Sequence, residues 1–378
     1  MDNENDGIDI DLEEEDLGDE PRSDEEPFDP RKVDVSVVTT NLGALITRLQ
    51  HKEIDLSPDF QRSSNLWPPS AQSRLIESIL IRLPIPAFYF DAADEDKWQV
   101  VDGLQRLSAI KNFVLDNSLG LSNLEFLTQF DTNRYSDLPR AMQRRIDEFQ
   151  VTVYLIKKGT PDDVKYSLFK RINTGGFKLT HQEIRHAMSQ SISKGRASKF
   201  LKRITETAAF KAVIGEKNQR MAYEELVLRY FAFLINGPGT YKSSLPRFLD
   251  TTMSWLGDRD ESSLLRLEEQ FITSLETAHD IFGQNSFRKT LAAPERKKVV
   301  NKPLFEVVSV ALTSLTSSER NMLLATRASF LEEFKILLKD EQFENAISRS
   351  TANKENVDTR FRMFGDLLRR KVAGADLC

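Results

Sequence analysis

The stretch VVDGLQRLSAI, residues 100–110, decides how this chain folds. Its two valines favour a strand. Leu104, Leu107, Ile110 and then Val114 recur at helical spacing, so a helix begins where the strand ends. Asp102 and Gly103 stand at the junction, with Gln105 and Arg106 in the first helical turn. A glycine there lets backbone approach a ligand, and the first amides of a helix lack internal partners and suit an anion. Arg106 offers a rigid fork of donors that matches phosphate oxygens. Asp102 supplies oxygen to a hard cation such as Mg²⁺, or positions a water. Gln105 can contact a base, a ribose or a water. The commoner explanation of so short a motif is structural, with the aspartate capping the helix and the arginine as a surface charge. On this stretch alone both explanations stand.

Working outward, SVVTTNLGALITRLQHKEIDL (36–56) reads as a short strand, a helix and a second extended piece. A polar loop, FQRSSNLWPP (60–69), leads into SAQSRLIESILIRLPIP (70–86). There Leu75, Ile76, Ile79, Leu80 and Leu83 share a helical face, and Pro84 and Pro86 stop the helix. AFYF and KWQVV flank the acidic loop DAADED and read as paired strands; QVTVYLIKKG (150–159) is the next strand. Thr160 and Pro161 open a further helix, and Thr180 with Glu183 forms a capping box for the one after it. From about residue 191 onward nearly every segment reads helical, including EELVLRYFAFLI, SSLLRLEEQFITSLETAHDIF and NMLLATRASFLEEFKILLKD. Within these, Glu225 and Arg229 are four apart and suit a structural ion pair.

Charge divides the chain. Residues 1–30 hold fifteen acidic side chains and one arginine, whereas residues 31–378 hold 51 basic and 43 acidic ones, a net of +8. Acidic blocks poor in large apolar groups cannot bury enough surface to fold, so residues 1–34 are expected to be an unstructured tail. That tail either keeps the chain in solution or competes with nucleic acid for the basic body. The basic segments ERKKVVNK and RNMLLATR are candidates for phosphate contact, though charge on a helix surface is the commoner explanation. No run of apolar residues is long enough to span a bilayer. The acidic start lacks the pattern of a secretory signal, so a cytoplasmic location without membrane contact is expected. A single cysteine, Cys378, argues against disulfides, cysteine-rich zinc sites and a thiol enzyme.

Four elements in order carry a resemblance: FQR at 60–62, LPIP at 83–86, VVDGLQRL at 100–107, and LFKRINTGG followed by KLTHQEIR across 168–185. Together they resemble the N-terminal domain family of GmrSD-type modification-dependent restriction systems, which is related to ParB and sulfiredoxin-like domains. NQRMAYEELVLRYFAF (218–233) is similar to the helical half of such proteins. The resemblance implies an α+β, ParB/sulfiredoxin-like domain over 35–190, followed by an all-helical domain over 191–378. It implies nucleotide binding and, in several relatives, Mg²⁺-dependent nucleoside triphosphate hydrolysis tied to recognition of foreign or modified DNA. Carried onto this chain, Asp102, Gln105 and Arg106 are the catalytic candidates, with Asp102 also the metal ligand. Gln61, Arg62, Gly103, Arg171 and Asn173 are the nucleotide-binding candidates.

Two departures qualify that carry-over. Leu104 stands where the family pattern has a glutamine, which puts turnover in doubt more than binding, although the helical period also suits a core-facing leucine. Many relatives also continue into an HNH nuclease, which needs closely spaced histidine ligands. This chain has four histidines: His51, His181, His186 and His279. His181 and His186 are five apart, not on one helical face, and read as surface or boundary residues. A fused HNH domain is therefore not expected, and any cutting of DNA is expected to fall to a separate nuclease subunit or to the first domain itself. The expectation is a nucleotide-binding protein, an NTP hydrolase coupled to DNA in restriction or anti-phage defence. The alternatives are a non-catalytic nucleotide-gated module that binds DNA or a partner, and a DNA-nicking nuclease. The preferred base and the oligomeric state, a homo-oligomer included, stay open.

Overall fold

The computed structural model describes residues 12–13, 15–16, 34–56, 67–161, 164–165, 168, 172, 180–193, 195–216, 221–294 and 298–373. The chain forms two units. One is Pro27–Ile192, the other Met1–Glu26 together with Ser193–Cys378. The first is a mixed sheet with helices and the second is helical.

In the sheet unit, β-branched VSVVTTN forms β1 (Val35–Asn41), and Asn41 then caps α1 (Leu42–Gln50) by accepting the Ala44 N–H at 2.8 Å. Leu42, Leu45, Ile46 and Leu49 make the buried face of α1. After the short β2 (Ile54–Asp55), a proline in the first turn opens α2 (Pro69–Leu80). β3 (Phe88–Asp91) and β4 (Trp98–Asp102) pair antiparallel as expected; α3 (Leu104–Ile110) follows and continues as a wider π-type turn through Lys111–Leu115. After α4 (Arg140–Asp147), β5 (Gln150–Ile156) completes a five-stranded sheet of order β1-β5-β3-β4-β2. β3 runs parallel to β5 and β2 parallel to β4, whereas β1 and β5 are antiparallel in register from Val35↔Ile156 to Asn41↔Gln150. Phe88, Phe90, Leu107, Ile110 and Phe113 are fully buried between this sheet and the helices on one face.

The α2 helix ends earlier than its hydrophobic period suggests. Arg82 takes a left-handed φ of 64°, the chain turns away, and Leu83 is 48% exposed instead of completing the apolar face. The two prolines that follow exclude helix, and the turn settles before them. At the far end of the sheet, the Thr160 hydroxyl joins Asp34, accepting its N–H and donating to its carbonyl, each at 3.2 Å. The capping box at Thr180 is present. Glu183 N–H donates to Thr180 Oγ1 at 3.2 Å, and Thr180 N–H donates to Glu183 Oε2 at 2.7 Å, starting α5 (His181–Ser193).

The helical unit contains α6 (Arg196–Thr205), α7 (Ala208–Val213), α8 (Ala222–Asn236), α9 (Leu245–Gly257) and α10 (Glu261–Phe282). It continues with α11 (Lys302–Thr313), α12 (Ser317–Ala325), α13 (Arg327–Lys339), α14 (Glu341–Ser348) and α15 (Lys354–Ala373). α8 is buried along most of its length and lies at the centre of the unit, packed against α6, α9 and α11. The segment NMLLATRASFLEEFKILLKD, which reads helical, is helical on both sides of Thr326, where α12 gives way to α13. The Glu225–Arg229 pair is present at 2.9 Å, but Arg229 is fully buried and also holds Glu306 at 3.0 Å. Arg360, equally buried, reaches the other Glu306 oxygen at 2.6 Å.

The expectation of an unstructured stretch over 1–34 fails at its described residues. Leu12 is buried in the core of the helical unit, and Glu13, Glu15 and Asp16 are hydrogen-bonded there. Net charge misjudged them because the cations that pair with Glu13 and Glu15 lie more than two hundred residues away in sequence. No helix among the described residues is long and apolar enough to cross a membrane.

Candidate functional site

The turn from β4 to α3 carries the candidate residues. Gly103 takes φ 101° and ψ 9°, a conformation side chains rarely adopt, and no side chain caps the helix it begins. Glycine is required here by packing as well. A Cβ would lie 2.5 Å from Phe88 Cδ1 and 3.3 Å from Arg106 Nη2. The Gly103 carbonyl accepts the Leu107 N–H at 2.8 Å, which closes the first turn. The amides of Leu104, Gln105 and Arg106 precede that bond, at the positive end of the helix.

Arg106 is not the exposed charge that a phosphate clamp needs. It is 7% exposed, donates from Nη1 to the Pro86 carbonyl and from Nη2 to the Ala87 carbonyl at 3.2 Å, and lies over the Phe88 ring at 4.8 Å. Nη2 also donates to Asp102 Oδ2 at 2.8 Å. Burial pulls this guanidinium down from its ordinary value, against the opposing pull of Asp102. Arginine's fork suits it to link a carboxylate with carbonyls from another segment. Here that segment is the end of the LPIP stretch, so two elements of the motif set are bonded to each other.

Asp102 has a side chain 29% exposed and keeps one oxygen on Arg106. Opposite it across the sheet is Tyr89, whose ring stacks on Tyr154 at 4.6 Å and 7°. Burial, with Tyr154 and Asp102 adding to it, raises the Tyr89 hydroxyl above its usual range. The Gln105 Oε1 accepts the Trp67 N–H at 3.0 Å, and the Trp67 carbonyl in turn accepts from Gln72 at 2.6 Å. Gln105 therefore ties the turn to the residue that ends the FQRSSNLW loop, and Trp67 itself packs against the core of the unit. Leu104 packs against that core too, in line with the helical period. Gln61, Arg62, Arg171 and Asn173 lie outside the described residues.

Other residues were not legible as part of this region. Ile184 and Met188 of α5 cover Val101 and Ile156, which places the capping-box helix on the sheet next to the turn. On the same helix Gln182, Glu183, Arg185 and His186 are all buried, so His186 is an interior histidine and not the surface or boundary residue its neighbours suggest. Asp91 forms a buried ion pair with Lys165 at 2.9 Å. The alternation of AFYF marks Tyr89 as a strand residue, but nothing in it signals a stack beside Asp102.

Over residues 45–189 the chain matches the family model for the GmrSD restriction endonuclease, N-terminal domain. All four motifs fall inside that span, whereas β1 and the helical unit lie outside it. No curated protein and no solved structure gives a match to this chain. The match supports a role related to restriction or defence.

Proposed function

We propose that this chain is the nucleotide-binding, DNA-directed component of a restriction or defence system, with the β4–α3 turn as its phosphate site. The observation that carries this reading is the uncapped first turn of α3 after left-handed Gly103, with the partly exposed Asp102 carboxylate beside it. Phosphate oxygens suit the amides of Leu104 to Arg106. Mg²⁺ is commonly held by one or two carboxylates plus the nucleotide's own phosphates, and Asp102 fits as one such ligand. Among the described residues no group of three or more His, Cys, Asp or Glu is arranged to hold a metal ion, and the fit proposed is to a nucleotide–metal complex. Asp102 would hold the metal, which when bound neutralises phosphate charge. The Tyr89–Tyr154 stack offers an aromatic edge near the turn.

Within this reading Arg106 is a positioning residue, because its fork is engaged with Pro86, Ala87 and Asp102. Gln105 Oε1 is likewise engaged with Trp67. Nucleotide binding that gates DNA or partner binding is therefore favoured over rapid hydrolysis. Hydrolysis is the second reading, supported by the exposed part of Asp102, which is placed to hold a water. Direct nicking has least support, since Asp102 is the one acid within residues 102–106 of the turn. DNA is the partner that a restriction-system domain implies, and a separate nuclease subunit would do the cutting. The test is saturable binding of each of the four NTPs with Mg²⁺, with phosphate release followed in parallel. Binding without release supports the gate, and release supports the hydrolase. Absence of both removes the turn as a nucleotide site.

A further inference from the structure

The docked acidic residues occupy a cleft of the helical unit that has the features of a peptide receptor. Leu12 is 6% exposed and joins the core. It pairs in parallel with Val300, where the Glu13 N–H donates to the Val300 carbonyl at 2.8 Å. Farther along, the Thr351 N–H donates to the Asp16 carbonyl at 2.8 Å. Glu13 receives Lys289 Nζ and Asn301 Nδ2, each at 2.8 Å. Glu15 receives Arg229 at 2.8 Å and the Thr351 hydroxyl at 2.6 Å, and the Asp16 carboxylate accepts the Ser350 N–H at 3.2 Å.

The charges in this cleft are balanced only when the segment is present. Arg229, Arg360 and Lys302 are compensated by Glu225, Glu306 and Glu15, with Lys302 at 3.9 Å from Glu15. Burial drives the Glu15 carboxyl up, but Arg229 and Lys302 outweigh it and hold the group below its usual range. Removing Glu15 leaves excess positive charge in a water-poor site, so the cleft requires an anion. A gap of about 10 Å³, no more than one water needs, remains beside the segment, lined by Glu13, Glu15, Asn301, Lys302 and Thr351 among others.

We propose that this cleft is a binding site for an extended acidic peptide bearing leucine, then glutamate one and three positions on and aspartate four on, filled in cis by Leu12, Glu13, Glu15 and Asp16. A partner protein presenting the same pattern would take the place of the chain's own segment. A peptide fits better than a nucleic acid because two contacts are main-chain hydrogen bonds and one is a buried leucine. A phosphate backbone supplies neither. The proposal stands independently of the nucleotide reading.

The test keeps the whole chain and lets it fold intact. A protease site is inserted between Asp16 and Asp34, the folded protein is cut, and the short fragment is followed by size exclusion. The fragment is expected to stay with the body and to be exchanged by a labelled synthetic peptide of residues 8–20. The same peptide carrying Leu12→Ala and Glu15→Ala should need about tenfold more material or fail, as loss of one good charged contact implies. Release of the fragment on cutting alone would overturn the proposal, as would equal exchange by the double-alanine peptide or by duplex DNA. Retention without any exchange would overturn it too, leaving a fixed structural strand.

Discussion

Arg106 and Asp102, four residues apart across the strand-to-helix turn, are joined at 2.8 Å, and the same guanidinium holds the carbonyls of Pro86 and Ala87. One side chain thus fixes the aspartate, the turn and the end of the LPIP stretch relative to one another. A group so placed acts on a ligand through Asp102.

Arg106→Ala should therefore destabilise the protein, by about 2–3 kcal/mol, because it strips partners from a carboxylate and two carbonyls in a largely buried place. Arg106→Lys should recover only part of this, since an ammonium lacks the planar fork. Denaturant unfolding of the three proteins checks the order wild type, lysine, alanine. A phosphate-clamping arginine would instead leave stability unchanged and weaken ligand binding alone.

Gly103→Ala should cost about 2–4 kcal/mol, combining the left-handed penalty with the overlap on Phe88. The double variant Gly103→Ala with Phe88→Leu should relieve the overlap but not the backbone strain, and so recover part of the loss relative to the sum of the single changes. Melting of the four proteins in the cycle measures this directly. Strict additivity would show that the Phe88 contact does not limit the site.

How much of this was legible follows from which contacts are local. The period of Leu104, Leu107 and Ile110 gave the helix, the β-branched and aromatic runs gave the strands, and the Thr180–Glu183 box lies within four residues. Partners far apart in sequence were not legible. Arg106 looks like a surface charge until Pro86 and Ala87 arrive just ahead of the neighbouring strand β3. Leu83 looks like core until Arg82 turns the chain, and Glu13 and Glu15 look like solvated charge until Lys289, Arg229 and Thr351 surround them.

Glu77 is a further residue of that kind. It sits on α2, is 4% exposed, and accepts the N–H groups of Glu125 at 3.0 Å, Phe126 at 2.7 Å and Leu127 at 2.8 Å. Burial drives its carboxyl up, but the three backbone donors prevail and hold it below the usual carboxylate range. A lowered folded-state value means that the stabilisation is complete above the unfolded value and is lost as pH falls through the folded one. Glu77→Gln, which sets an amide donor against an N–H, should cost about 2 kcal/mol near neutrality. The gap to wild type should narrow as acid protonates Glu77. A gap that is constant with pH would contradict this assignment.

The most direct test of the central claim is calorimetric titration of NTP with Mg²⁺ into wild type and Asp102→Asn. Asparagine retains an oxygen for Arg106 but loses the charge that a metal needs, so the fold should hold while the metal-dependent part of binding weakens about tenfold or more. That result would identify the β4–α3 turn as the nucleotide site. Binding of equal strength in both proteins, or no binding of any NTP by wild type, would contradict it and leave the turn with its structural role alone.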